Sequence, residues 1–507
     1  MKTTYKFFLV ALCFCAFTNK AMGQSYSGGS GTEKDPYLIS SKADMETLAE
    51  YVNAGVTYEG KYFLLTKDLK TFNTVSTVIG NEQRFFSGNF NGGGYEIVVS
   101  ISKTMSNSYA GLFTYIENAT IENLTVSGNV ELTINRQIDY SSTTPECPYI
   151  AGICTVSENS SFINCCNAAI VTIKCSVLAY NSSACNVYAG GICASGGSFV
   201  NCLNKGNISA GAGIIQIWNN VGSPCPVTLY VGGISGSGNS FSKCCNTGTI
   251  SGTATRNEAD AAIPTGPIGF AGGISGRGGD VSNCYNTGLI VASGCDCGGI
   301  CASGSNINNC YNTGNISYSS SGNKNSSCGG ICSKATKVEN SFAANATVSV
   351  GYRIAATGTV NNCYALSTMK IGSLYATSEN TATGRNGADV PSISSFQSRA
   401  WFDEYLGWDF DNIWQLNPGE FPTFKAGNSS GIPAISTDKV TIYPNPVQET
   451  FYIQGITRAT VITLSDISGK TVMQQVVAPG EPISIQYLPK GVYIVHAADV
   501  TSKIIKK

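Results

Sequence analysis

A single histidine, His496, stands in a chain of 507 residues. That scarcity removes histidine-based acid–base catalysis and histidine-rich metal centres from nearly the whole length. Charge is scarce too: Asp, Glu, Lys and Arg make up 12% of the residues, 31 basic against 32 acidic, where an average soluble domain has ~25%. A formal charge of −1 gives no field to steer nucleic acid or anionic lipid, so neither is expected as a partner. Beyond the N-terminal region no apolar run is long enough to span a bilayer, and no transmembrane segment is expected. Cysteine is confined: apart from Cys13 and Cys15, all of it falls between Cys147 and Cys363. A His-Glu-x-x-His metallopeptidase is impossible, the repeated Asp of calcium-binding nonapeptides is missing, and no nucleotide loop is indicated. No cofactor or metal is expected, and the absences lean away from enzymes.

What is present begins with an address. Lys2 and Lys6 precede an apolar run from Phe7 to Phe17, and Ala21-Met22-Gly23 places small residues before a cleavage point between Gly23 and Gln24. Residues 1–23 therefore read as a secretory signal peptide. An exported chain meets oxidising conditions, so disulfides are permitted. Of the 21 cysteines, removing two leaves an odd number, so at least one thiol stays free or pairs between molecules.

The middle of the chain repeats itself. A Gly-Ile step recurs at Gly152-Ile153, Gly191-Ile192, Gly233-Ile234, Gly273-Ile274, Gly299-Ile300 and Gly330-Ile331. A fixed distance after Ile192, Ile234, Ile274 and Ile300 stand Cys202, Cys244, Cys284 and Cys310; Ile331 leads to Ser341, and the longer first copy to Cys165. Asn precedes that position at Asn164, Asn201, Asn283, Asn309 and Asn340, with Lys243 as the exception. Asn-Thr-Gly follows at 246–248, 286–288 and 312–314, a turn signal expected to use positive φ. Each unit reads as three short strands with Gly or Asn corners and no 3.6-residue period. Stacked units of this kind predict an all-β fold, a right-handed parallel β-helix. Ser41 can N-cap a helix over Ala43–Asn53 that covers the first coil, and the Trp- and Phe-rich residues 401–425 are expected to plug the last.

Several segments carry a resemblance. Asp35-Pro36-Tyr37-Leu38-Ile39, the run Phe86-Ser87-Gly88-Asn89-Phe90-Asn91-Gly92-Gly93-Gly94-Tyr95, Tyr109-Ala110-Gly111-Leu112-Phe113 and the Asn-Cys-Tyr-Asn-Thr-Gly repeats resemble GLUG-repeat surface proteins across residues 30–425. After a linker at 426–437, Tyr443-Pro444-Asn445-Pro446, Asp466-Ile467-Ser468-Gly469-Lys470, Leu488-Pro489-Lys490-Gly491-Val492-Tyr493 and Lys506-Lys507 resemble the type IX secretion C-terminal sorting domain of Bacteroidetes. The expected organisation is a cap and first coils at 24–108, GLUG-like repeats at 109–400, the plug at 401–425, and a small immunoglobulin-like β-sandwich at 438–507. That resemblance implies export through the periplasm to the outer-membrane surface or extracellular space, with residues 438–507 engaging the type IX machinery, removal of the sorting domain, and anchoring of the new C-terminus to surface polysaccharide.

Two cysteine columns follow from the repeat. One holds Cys154, Cys193, Cys301 and Cys332, with Ser235 and Ser275 between; the other holds Cys165, Cys202, Cys244, Cys284 and Cys310. Coils about 4.8 Å apart would bring column neighbours within disulfide reach, so these nine are candidates for disulfides or stacked thiols. Cys295-Asp296-Cys297 invites a metal reading, which the lack of His partners disfavours. Tyr285, Tyr311 and Tyr364 recur just after the Cys position and form the expected exposed binding stripe. Twelve acids fall between residues 110 and 380, Glu258 and Asp260 are the nearest to a pair, and no two are expected in one column. The leading expectation is an adhesin-like, non-catalytic surface protein that binds glycan or host and matrix polymers. The alternatives are a polysaccharide-degrading lyase or glycoside hydrolase, and a structural surface-layer component.

Overall fold

The computed structural model describes residues 26–425 and 441–507, apart from 71–73, 105–107, 139–146, 180–184, 217–226, 257–267, 321–325, 376–380, 455–459, 467–469, 479 and 498–499. The signal peptide, its cleavage point at Gly23 and Gln24, the linker 426–437, and Glu258 with Asp260 lie outside the described residues.

One coil shows how the sequence bends the chain. Strand Val227–Gly232 enters the Gly232-Gly233-Ile234 bend, continues as Ser235–Ser242, turns at Lys243, and then forms Cys245–Asn246 and Ile250–Arg256. Four strands replace the three expected, because the Asn-Thr-Gly step divides the last. Coils stack in parallel register: Ile208, Ile250, Ile290 and Ile316 align on one face, and Phe162, Phe199, Phe241, Val281, Ile307 and Val338 on a second. Long parallel sheets, one of 12 strands and one of seven among them, give the all-β architecture of a β-helix.

The corners explain the recurrent Asn. Left-handed backbone occurs at Asn164 (φ 54°), Asn201 (57°), Lys243 (54°), Asn283 (51°), Asn309 (53°) and Asn340 (46°), a region that Asn occupies more readily than other side-chain-bearing residues. Their amides form a ladder, with Asn201 Nδ2 donating to Asn164 Oδ1 at 2.8 Å and Asn164 Nδ2 to Asn123 Oδ1 at 2.9 Å. The Asn-Thr-Gly steps correct an expectation, since Asn246, Gly248 and their repeats are not among the positive-φ residues. Asn204 and Asn246 are buried instead. Asn204 donates to Gly206 O at 2.8 Å and to Asn246 Oδ1 at 2.7 Å, and Asn246 repeats both bonds one coil on. The glycine is required by close stacking, because a Cβ on Gly248 would stand 2.1 Å from the Gly206 carbonyl oxygen.

Both cysteine columns form as the repeat implied. Cys154 lies in register with Cys193, Ser275 with Cys301, and Cys301 with Cys332, and the Cys284 amide donates to Cys310 Sγ at 3.4 Å. All nine candidates are buried free thiols. Among the described residues a disulfide joins Cys297 to Cys328 instead, residues aligned on the seven-stranded sheet. This pair falls in a third column, which the count from each Ile did not sample.

At the front, helix α1 (Lys42–Asn53) is capped by Ser41, whose side chain accepts from the Asp44 amide, and buries Met45, Leu48, Ala49 and Val52. At the back, the expected end plug is a strap along the flank. Phe396 stacks on Phe342 at 4.4 Å, Trp401 meets Tyr364 at 5.3 Å, Trp414 meets Tyr311 at 6.1 Å and Phe424 meets Tyr285 at 5.1 Å. The segment thus runs back over earlier coils, drawn by a column of outward rings that needs cover from water. Within 441–507, antiparallel sheets of three and four strands enclose Phe451, Ile462, Leu464, Val495 and Ile504. Lys506 is buried, and its Nζ donates to Gln486 O at 3.0 Å and Leu488 O at 2.6 Å.

Candidate functional site

The Gly-Gly-Ile bend is where the coil becomes concave. A Cβ on Gly233 would stand 2.6 Å from Asn246 Oδ1, and Gly191 and Gly273 meet Asn204 and Asn286 in the same way. Each bend is therefore pressed into the solenoid against the buried Asn ladder. The two strands leaving it converge on their outer sides, and a Cβ on Gly236 would stand 2.9 Å from the Tyr230 carbonyl oxygen. Small residues fill this crease: Thr114, Thr155, Ala194, Gly236, Gly276 and Ala302 occupy it in successive coils and are buried. Stacked over many coils, the crease becomes a groove parallel to the solenoid axis.

One wall of the groove is a ladder of five rings. Tyr109, Tyr149, Tyr188, Tyr230 and Phe270 occupy the same position in successive coils. Their centroids are 5.4, 4.9, 5.0 and 5.3 Å apart, with interplanar angles between 3° and 11°. All five are half-buried, so their outer edges reach solvent. The ring faces are spent on one another, and what remains is a row of ring edges carrying a phenolic hydroxyl on four of them, that of Tyr149 hydrogen-bonded to the Cys147 side chain and that of Tyr188 to Asn186. Burial pushes the Tyr188 hydroxyl up to about 12, with Tyr230 adding to the rise, and burial raises that of Tyr149 as well. These phenols stay neutral at physiological pH, able both to donate and to accept.

The opposite wall carries Tyr115, Val156, Ser195, Ser237, Arg277, Ser303 and Lys334 in register. Arg277 and Lys334 are exposed and the serines half-buried. The walls are linked at the far end: Lys334 Nζ lies 2.7 Å from Asp296 Oδ2 and 5.7 Å from the centroid of Phe270. Asp296 also accepts from the Ser327 amide at 2.8 Å. At the near end the Tyr109 hydroxyl donates to Glu82 and that of Tyr115 to Glu158. Glu117 and Glu158 stand in register on adjacent coils, which corrects the expectation that no two acids share a column. An insertion in the first unit shifts Glu158 in a simple count.

The residues singled out from sequence fall elsewhere. Tyr285 and Tyr311 do stack, at 5.0 Å, and Phe342 extends them at 5.0 Å. Their stripe is roofed by the strap rather than exposed. Tyr311 is 1% exposed and its hydroxyl donates to Pro422 O at 2.6 Å, while Tyr364 packs against Trp401 and Tyr405. Trp414 is fully buried, and Trp408 Nε1 donates to Asn340 O at 2.9 Å. Burial pushes the Cys166, Cys245, Cys295 and Cys363 thiols up to about 12. Cys295 faces the core, Cys297 is oxidised and Asp296 is held by Lys334, so Cys295-Asp296-Cys297 serves as part of the scaffold. The open ladder was missed although its signal is regular over four coils: an aromatic stands four residues before Ile153, Ile192, Ile234 and Ile274.

A stretch of 111 residues, 20% of this chain, is 31% identical to a protein of Evansella cellulosilytica described as "Putative Gly-rich membrane protein". The chain spans 12% of that protein's length. A crystal structure described as "a putative immunoglobulin A1 protease from Bacteroides ovatus" aligns over 79% of this chain and 95% of its own, at 14% identity and a TM-score of 0.33. Residues 441–507 match the family model of the secretion system C-terminal sorting domain. The chain therefore carries a type IX sorting domain, which directs export to the cell surface or extracellular space.

Proposed function

We propose that this protein is a non-catalytic, adhesin-like surface protein that holds an extended polymer in the groove beside Tyr109, Tyr149, Tyr188, Tyr230 and Phe270. The carrying observation is the ladder itself: five rings in strict register, half-open to solvent, on an exported scaffold. Its repeat suits a ligand that repeats, and a rigid solenoid offers many identical weak contacts without ordering loops. On this reading the coils are right-handed GLUG-type repeats of a Bacteroidetes protein, residues 1–23 are removed on export, and 438–507 form an immunoglobulin-like sandwich removed at the surface as the chain is anchored.

A second reading, a polysaccharide-degrading enzyme, is favoured by Glu117 and Glu158 on adjacent coils beside Tyr115. Two carboxylates flanking a glycosidic bond are the usual equipment for its hydrolysis. Binding is preferred because the ladder extends over five coils, whereas the acids serve one end. The test is native electrophoresis of the full chain through gels cast with different polysaccharides, each polymer being sized afterwards. Retardation over an intact polymer supports binding. A shortened polymer replaces it with the enzyme reading, and absence of retardation with every polymer overturns the glycan ligand.

A further inference from the structure

We infer that the groove selects a linear glycan of equatorially linked pyranoses, one sugar per ring, over about five sugars; this rests on the polymer-binding reading. Three features carry it. The first is the kind of contact on offer. A closed coil stack has no lateral strand edge, so the groove walls present side chains and no unpaired backbone, and a peptide cannot be held by strand addition. On two neighbouring coils Tyr188 and Tyr230 on one wall are matched by Ser195 and Ser237 on the other, with Val156 opposite Tyr149 and Arg277 opposite Phe270, across a crease lined by small side chains. Hydroxyls on both walls at the middle of the groove, with the Arg277 guanidinium beside them, are matched by a ligand that carries hydroxyls along both edges.

The second feature is the step. Rings spaced 4.9 to 5.4 Å set a straight ruler. A pyranose joined through opposite equatorial positions advances by about one ring width per sugar without coiling, so successive sugars meet successive rungs. Axially linked chains curl away after one or two. The third feature is that the ruler is bounded: the Lys334–Asp296 pair crosses the groove beyond Phe270, and Glu82 holds Tyr109 at the other end. Extra sugars past either limit find no further rung.

Isothermal titration of the full chain with graded cello- and chito-oligosaccharides, and with malto-oligosaccharides as the axially linked comparison, tests this. Affinity is expected to rise about three- to tenfold per added sugar, the range of one net hydrogen bond, and to level at about five units, one per ring. The double variant Tyr188→Phe/Tyr230→Phe keeps the stacked rings, and hence the scaffold, while removing two hydroxyls; it should lose about tenfold or more in affinity with unchanged thermal stability. Equal binding of malto-oligosaccharides, affinity that climbs without a plateau, or an unaffected double variant overturns the inference even where gel retardation upholds polymer binding. Failure of every polymer to retard the chain removes the underlying reading instead.

Discussion

Lys243 holds a left-handed corner, φ 54°, whose counterparts in neighbouring coils are asparagines. The cost is visible one coil below, where the buried Asn201 Oδ1 has no hydrogen-bond partner among the described residues. Lys243→Asn should restore the rung and ease the backbone, adding about 1 kcal/mol, read as a higher midpoint in urea. An unchanged or lowered midpoint would show that the ladder contributes nothing there. Arg353 gives the opposite case. It is fully buried at the last coil, with Nη1 2.7 Å from Asp389 Oδ1 and Nη2 3.2 Å from Gly387 O. Asp389→Ala strands a buried cation and is expected to cost about 3–5 kcal/mol, whereas Arg353→Met removes the charge and costs less. Equal losses in both variants, measured by denaturant titration, would contradict that order.

At the scale of elements, the repeat was legible because stacking forces each column to keep one kind of residue. The Gly-Ile bend, the Asn corner and both cysteine columns were all read from spacing, and the capping helix from Ser41 and its apolar face. Three things were not legible. Which of several near-equivalent cysteines oxidise depends on sulfur positions, and Cys297–Cys328 lies off both counted columns. Whether an outward ring is open depends on what the chain does a hundred residues later, as Tyr311 and Pro422 show. The concavity of the bend depends on Gly233 meeting Asn246 across the coil. The disulfide closes a separation of 31 residues, which on chain-entropy grounds is worth about 3–4 kcal/mol. Cys328→Ser should lower the unfolding temperature measured without reductant, and reductant should lower that of the variant by less than it lowers that of the wild type. A variant as sensitive to reductant as the wild type would contradict the Cys297–Cys328 bond.

The whole molecule responds to pH through its buried acids. The Cys166, Cys245, Cys295 and Cys363 thiols are raised to about 12 by burial, above the ~8.5 of an unfolded thiol. A raised folded value means that the folded state holds these protons more tightly. Their contribution is complete below about pH 8.5 and is lost as pH climbs towards 12. Unfolding midpoints should therefore fall through the alkaline range, and a flat profile would contradict the burial of these four thiols. Export is governed separately by residues 441–507, so a chain ending at 440 should accumulate inside the cell envelope, while surface labelling of the full chain gives signal. The central claim is that the open ladder and not the roofed one holds a polymer. It is tested most directly by affinity electrophoresis of the full chain beside Tyr188→Ser/Tyr230→Ser and Tyr311→Phe on the polysaccharide that retards the wild type. The account predicts that the double variant runs as though the polymer were absent while Tyr311→Phe is retarded like the wild type; undiminished retardation of the double variant would contradict it.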